Sequence, residues 1–182
     1  MSLLDSVLNN SNDMLENITQ ILEISKLKAG QLSFTYSLFN VKDNISSVLN
    51  QYQSLIEENK IKLTFNSDED IFINSDAYRV KQILSNIISN AIKYGKNEII
   101  INVFKDKNTT ITIEDNGEGI KDKESIFDLY AQEDTDLLER KAKGTGIGLY
   151  YMKLLCDGLK ISYKVEDRDG LSGTKFVLIF DR

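Results

Sequence analysis

Residues 75–120 read SDAYRVKQILSNIISNAIKYGKNEIIINVFKDKNTTITIEDNGEGI, and this stretch decides the fold. Val80, Ile83, Leu84, Ile87, Ile88 and Ala91 recur at helical spacing, which predicts a helix from Asp76 to about Tyr94 with Ser75 as its cap. Ile99–Phe104 and Thr109–Glu114 alternate as strands, joined by the polar turn Lys105–Asn108. The second strand runs into a glycine turn at Asp115–Ile120. A helix with one apolar face followed by a strand pair implies helices laid on one face of a sheet.

Upstream, residues 4–29 read as one helix. Leu4, Leu8, Ser11, Leu15, Ile18, Leu22 and Ser25 form a heptad seam suited to a self-associating bundle, and Ile21 and Ile24 widen the stripe. Docking of this helix on its own domain is the other reading. Lys26, Lys28 and Gly30 suit its end. Phe34–Phe39 is a connector with strand character. Asn40 is an N-cap with Asp43 at the third position, opening a helix with Val41, Ile45, Val48, Leu49, Tyr52, Leu55 and Ile56 on one side. Ile61–Phe65 and Ile71–Ile73 are expected to pair across a turn at 67–70.

Downstream, residues 116–148 are rich in Gly, Asp, Glu and Lys, with one short apolar segment at Ile126–Tyr130. A long, weakly structured stretch in a compact domain marks a lid or an excursion. A helix from Gly146 to Leu155 follows, then strands Lys160–Val165 and Lys175–Phe180 around a turn at Asp169–Gly170.

Composition narrows the function. A net charge of −6 argues against duplex nucleic acid as the main partner, which needs a concentrated basic face. The lone cysteine, Cys156, reads as a small buried residue in a reducing compartment. No apolar run reaches membrane-spanning length, and the first residues lack a signal-peptide layout. The chain contains no histidine, which removes imidazole acid–base chemistry and histidine–metal sites from its own repertoire.

Four short elements carry candidate chemistry. Asn86, Asn90, Lys93 and Tyr94 share one edge of the helix at spacings of three and four; an amide oxygen and an ammonium one turn apart suit magnesium and phosphates. A solvated polar edge accounts for the same residues taken alone. Asp115, Gly117 and Gly119 close a strand, where an aspartate can accept from an exocyclic amine and glycines let the backbone approach a flat ring. A plain acidic turn is the alternative. Gly144-Thr145-Gly146-Ile147-Gly148-Leu149 leads into a helix, so its amides form a candidate phosphate cradle. It is neither the dinucleotide glycine pattern nor a Walker A loop. Ile126-Phe127-Asp128-Leu129-Tyr130 is an amphipathic turn pinning the polar stretch.

In this order, the four elements resemble the N box, first glycine box, F box and second glycine box of the sensor histidine kinase ATPase domain. That domain belongs to a wider family with gyrase, Hsp90 and MutL. The resemblance runs over residues 36–182. Ile24–Gly30 is similar to the end of the second helix of the family's dimerisation and phosphoacceptor hairpin, so residues 1–35 are expected to be a remnant of that hairpin and a linker. Residues 132–135, Arg140 and Gly144–Gly146 resemble the lid of hybrid-type kinases, and Gly173–Phe176 the closing strand. Lys143 and the Tyr150-Tyr151 pair depart from the usual pattern.

The resemblance implies an α/β two-layer sandwich of the Bergerat type, with a mixed sheet, helices on one face, and one long N-terminal helix ahead of it. It implies ATP and Mg²⁺ as ligands. By position, Asn90 would bind magnesium, while Lys93 and Tyr94 would meet phosphate and ribose. Asp115 would read the adenine amine, with Gly117 and Gly119 shaping the pocket and Thr174 supporting it through water. Gly144, Thr145, Gly146, Gly148 and Leu149 would form the phosphate loop, Phe127 would anchor the lid, and Arg140 would reach the γ-phosphate. Asn86 stands where hydrolytic relatives place a water-activating glutamate, so transfer rather than hydrolysis is expected. The acceptor would be a histidine outside this sequence, on the hairpin of the same protein, with a receiver domain downstream and a homodimer through the N-terminal helix. A cytoplasmic domain of a protein with a possible membrane anchor is expected. A serine kinase of the anti-sigma type and a non-catalytic nucleotide-sensing module are the alternatives.

Overall fold

A computed structural model describes residues 3–67, 70–131 and 145–181, with the side chains of 3–10, 12, 13 and 16 outside that description. Helix α1 spans Leu3–Lys28, strand β1 Ser37–Asn40, helix α2 Val41–Glu58, β2 Lys62–Ser67 and β3 Phe72–Ser75. Helix α3 follows at Ala77–Tyr94, then β4 at Glu98–Lys105 and β5 at Thr109–Asp115. A 3-10 turn at Ser125–Phe127, helix α4 at Gly148–Leu159, β6 at Ser162–Asp167 and β7 at Thr174–Phe180 complete the described elements.

Five strands form one mixed sheet in the order β2-β4-β5-β7-β6, with β2 parallel to β4 and the other neighbours antiparallel. Register explains the core. Ile101 pairs with Ile113 and Val103 with Ile111, and these meet Phe176 and Leu178 across the next pairing, so one face is an apolar row. Helices α2, α3 and α4 cover that row, contributing Ile45, Val48, Ile83, Leu84, Ile87, Ile88, Met152 and Leu155, all fully buried. The opposite face carries Asn102, Thr112, Glu114 and Lys175, and Asn102 donates to Thr112 at 3.2 Å along it. This is the two-layer sandwich expected.

Local chemistry sets the helix ends. Asn40 caps α2 by accepting from the Lys42 amide at 2.9 Å. Asp76, rather than Ser75, caps α3: its carboxylate accepts from the Tyr78 and Arg79 amides, while Ser75 completes β3. Helix α4 begins at Gly148, two residues later than expected, and reaches Leu159, where Lys160 adopts a left-handed conformation. The expected β2–β3 hairpin does not form. Strand β3 pairs antiparallel with β1 in a separate two-stranded sheet, and β2 joins the edge of the main sheet beside β4. Pairing with β4 places Leu63 and Phe65 beside Ile99 and Ile101.

Helix α1 docks on its own domain through one edge and leaves part of its heptad seam exposed. Ile24 is buried and Leu27 packs on the domain core, while Leu15 and Leu22, both on the heptad seam, stay 62% and 59% exposed. No helix among the described residues is long and apolar enough to cross a membrane.

Candidate functional site

The site lies where the end of β5, one edge of α3 and the start of α4 converge. Asp115 ends up buried because it continues the core-facing alternation of Ile111 and Ile113, paired with Ile99. Only 5% of its surface is exposed. Burial raises its pKa above the ordinary aspartate range, and the amides of Gly117 and Thr174 and the charge of Arg168 offset this only in part. The Gly117 amide donates to its carboxylate at 2.8 Å. The result is an acceptor fixed in place by main-chain donors, suited to an exocyclic amine.

Gly117 is required at this point. A Cβ there would stand 2.4 Å from the Tyr94 carbonyl oxygen and 2.9 Å from Asp115 Oδ1. The close approach joins the glycine turn to the end of α3, which presents Lys93 and Tyr94 as exposed side chains, the Lys93 ammonium 5.7 Å from the Tyr94 ring centroid. Gly119 follows against the backbone of Gly173, and Thr174 is buried beside Asp115.

On the other side, Asn86 joins α3 to the second glycine segment. Its amide donates to the Gln82 carbonyl at 3.0 Å. Its oxygen points at Gly148, where an added Cβ would lie 2.6 Å away. Gly146 accepts from the Tyr130 amide at 3.1 Å, tying this segment to the turn that buries Phe127. No side chain caps α4, so its first amides face a place fit for an anion. Leu149 packs on the core, whereas the Thr145 hydroxyl bonds to Asn17 of α1 at 3.2 Å. Arg140, Gly144 and the rest of the expected lid between 132 and 144 lie outside the described residues.

Asn90 sits half-buried one turn beyond Asn86. Its amide oxygen is a hard donor, and no cluster of three acidic, histidine or cysteine side chains occurs among the described residues. That donor set fits a magnesium ion held largely by nucleotide phosphates, not one caged by protein.

Sequence reading missed three supports. Asn116 reads as part of the ligand turn, yet its Oδ1 accepts from the amides of Lys96, Asn97 and Glu98 at 3.0–3.2 Å and locks the α3–β4 loop. Ser172 donates to the Gly117 carbonyl at 2.6 Å. Arg168, which is 9% exposed, reaches Glu98 at 2.6 Å and Glu114 at 3.7 Å, behind Asp115. The Asn116 side chain next to a glycine turn is a readable signal for such a loop lock; the other two depend on strand register.

Comparison with known proteins identifies the family. Signal transduction histidine-protein kinase BarA of Escherichia coli (strain K12) is 29% identical over 180 residues, which is 92% of this chain and 20% of that protein. Hybrid signal transduction histidine kinase B of Dictyostelium discoideum is 31% identical over 90% of this chain and 9% of its own length. The chain thus spans a fifth or less of these curated relatives. Among solved structures, the catalytic domain of histidine kinase ThkA is 25% identical with a TM-score of 0.70, covering 81% of this chain and 95% of that one. Acinetobacter baumannii histidine kinase AdeS shares the fold, with a TM-score of 0.81 at 22% identity over 98% of this chain and 83% of that one. Residues 75–182 match the family model for histidine kinase-, DNA gyrase B-, and HSP90-like ATPases, and the chain belongs to that family as an ATP-binding domain.

Proposed function

We propose that this domain binds Mg-ATP and passes the γ-phosphoryl group to a histidine carried outside this sequence. Asn86 carries the reading. A hydrolase needs a carboxylate at that turn to take a proton from water. Here an amide stands there, committed to the Gln82 carbonyl and facing Gly148.

Asp115 accepts from the adenine amine, with Gly117, Gly119 and Thr174 forming the walls of that pocket. Tyr94 and Lys93 meet ribose and phosphate, and the segment Thr145–Leu149 directs the amides of Gly146 and Gly148 at the β- and γ-phosphates. Asn90 would hold magnesium, which when bound neutralises phosphate charge. The unprotonated imidazole nitrogen of the acceptor attacks phosphorus with its lone pair, the bond to the ADP oxygen breaks, and ADP leaves. Positioning and charge neutralisation suffice, because that nitrogen has no proton to lose.

The acceptor belongs on a hairpin of the same protein, in a homodimer through the exposed seam of α1, with a receiver domain as the next acceptor. The domain works in the cytoplasm. The relatives' names, all histidine kinases, favour this over a serine kinase or a silent sensing module.

Incubation with γ-labelled ATP, magnesium and a separately purified histidine-bearing hairpin tests the proposal. Acid-labile label on the hairpin, none on this chain, and slow phosphate release are expected. Rapid phosphate release with an unlabelled hairpin would overturn it.

A further inference from the structure

Tyr151, one of the two departures at the start of α4, is the centre of a polar cluster that joins three helices. Only 1% of its surface is exposed, and its hydroxyl donates to Glu23 of α1. One terminal nitrogen of Arg79 in α3, with two protons to give, lies 2.8 Å from Glu23, 2.8 Å from Gln82 and 3.2 Å from the Tyr151 hydroxyl. The Gln82 side-chain oxygen lies 3.1 Å from the same hydroxyl, a second acceptor within reach of its one proton. The Arg79 and Glu23 side chains are 12% and 17% exposed, so the ion pair is largely desolvated.

The cluster is continuous with the nucleotide site on both sides. The Tyr151 amide closes the first turn of α4 onto Ile147 at 2.9 Å, three residues after Gly148. The Gln82 carbonyl receives the Asn86 amide, and Asn86 in turn faces Gly148. A second tie runs from Asn17 to Thr145, on the other side of the same glycine segment. Helix α1 therefore meets the glycine segment at Thr145 through Asn17, and the first turn of α4 at Tyr151 through Glu23.

We propose that α1 is a working part of the nucleotide site: Glu23, through Arg79 and Tyr151, sets the first turn of α4 against the Asn86 turn of α3, so that docking of α1 and binding of nucleotide strengthen each other. This rests on the nucleotide reading above. A desolvated ion pair adds little net stability, but removing one partner leaves the other buried and unpaired, which makes such a cluster a register device. Without Glu23, Arg79 and Tyr151 lose the carboxylate they share and are left with Gln82 alone, so the turn they position is released. Phosphates on the amides of Gly146 and Gly148 restrain that same turn. Two events that order one element are coupled, and the coupling is reciprocal.

Calorimetry with a non-hydrolysable ATP analogue and magnesium, on the whole chain, provides one half of the test. Glu23→Ala and Tyr151→Phe should each weaken binding about five-fold or more. The double variant should bind no worse than the weaker single, because both remove one unit. Glu23→Gln, which keeps an acceptor without charge, should recover part of the loss. The other half needs no variant: amide exchange of residues 17–28 in the unaltered chain should slow when the analogue binds, a response that a merely structural contact would not give. Equal affinity in the parent and all four variants, or exchange in α1 indifferent to the analogue, overturns the coupling. Asp115→Asn serves as the control. If Asp115→Asn binds the analogue more weakly than the unaltered chain, while Glu23→Ala binds as the parent does, the nucleotide site stands and only the coupling falls. If the unaltered chain does not bind at all, both readings fall.

Discussion

The Asn86 side-chain oxygen lies 2.6 Å from where a Cβ on Gly148 would stand, so α3 meets the first residue of α4 through the Asn86 side chain, with no room for a side chain on the α4 side. The contact is a fitted pair. Asn86 is held by its own bond to Gln82 and cannot swing away without losing it.

Gly148→Ala should therefore push α4 from α3. Overpacking of this kind costs about 1–3 kcal/mol. Urea unfolding should show that loss, and nucleotide affinity should fall with it. Asn86→Ala in the same chain should restore part of the stability, because it removes the oxygen that the new methyl meets. If Gly148→Ala is as stable as the parent, the helices are not in the contact described.

Asn116→Ala removes the acceptor of three backbone amides, those of Lys96, Asn97 and Glu98. These groups are partly exposed and water replaces some of the bonding, so a loss of about 1–3 kcal/mol is expected. Amide exchange at 96–98 should accelerate more than exchange in the core of β5. Unchanged protection at 96–98 would show that the loop does not depend on this side chain.

Much of this was legible in the sequence, for identifiable reasons. Helix α3 and the β4–β5 hairpin are read from local periodicity and a short polar turn, and the structure has both. The cap of α2 at Asn40 is equally local. The partner of β2 is not. Its alternation fits any apolar neighbour, and the choice of β4 over β3 is made by contacts spread over the whole domain, with β3 taken by β1. Asn116 has no legible role from its neighbours, because the amides it holds sit about 20 residues earlier. The role of Tyr151 was out of reach, since its acceptor Glu23 lies 128 positions away. Only its mismatch with the family pattern marked it.

Asp115→Asn separates stability from binding. The asparagine oxygen can still accept from Gly117, and no charge is buried, so unfolding midpoints at neutral pH should be equal to or above those of the parent. The nucleotide loses a charged acceptor for its amine, and affinity should drop by about 1–3 kcal/mol. Calorimetry and thermal unfolding on the same samples give both values. Equal affinity would remove Asp115 from the adenine pocket.

Acid should act on the parent in the same two opposed ways. Burial, the largest influence, raises the pKa of Asp115 in the folded chain above its unfolded value, and the two amides and Arg168 do not cancel it. The folded state therefore takes up the proton more readily. The stability contribution of this one group improves as pH falls through the folded pKa, because the cost of a buried charge disappears. Binding moves the other way. A protonated carboxyl has lost half its acceptor capacity and repels the amine with its own proton, so nucleotide affinity should decline over a pH range above that of an ordinary aspartate. Asp115→Asn should lack this acid limb and show a flatter profile in the same range. Calorimetric titrations of the two proteins from neutral pH downward, in buffers of matched ionic strength, would reveal the difference. An acid limb of the same position and steepness in Asp115→Asn would assign the titration to another group and leave the buried carboxylate without the role given to it.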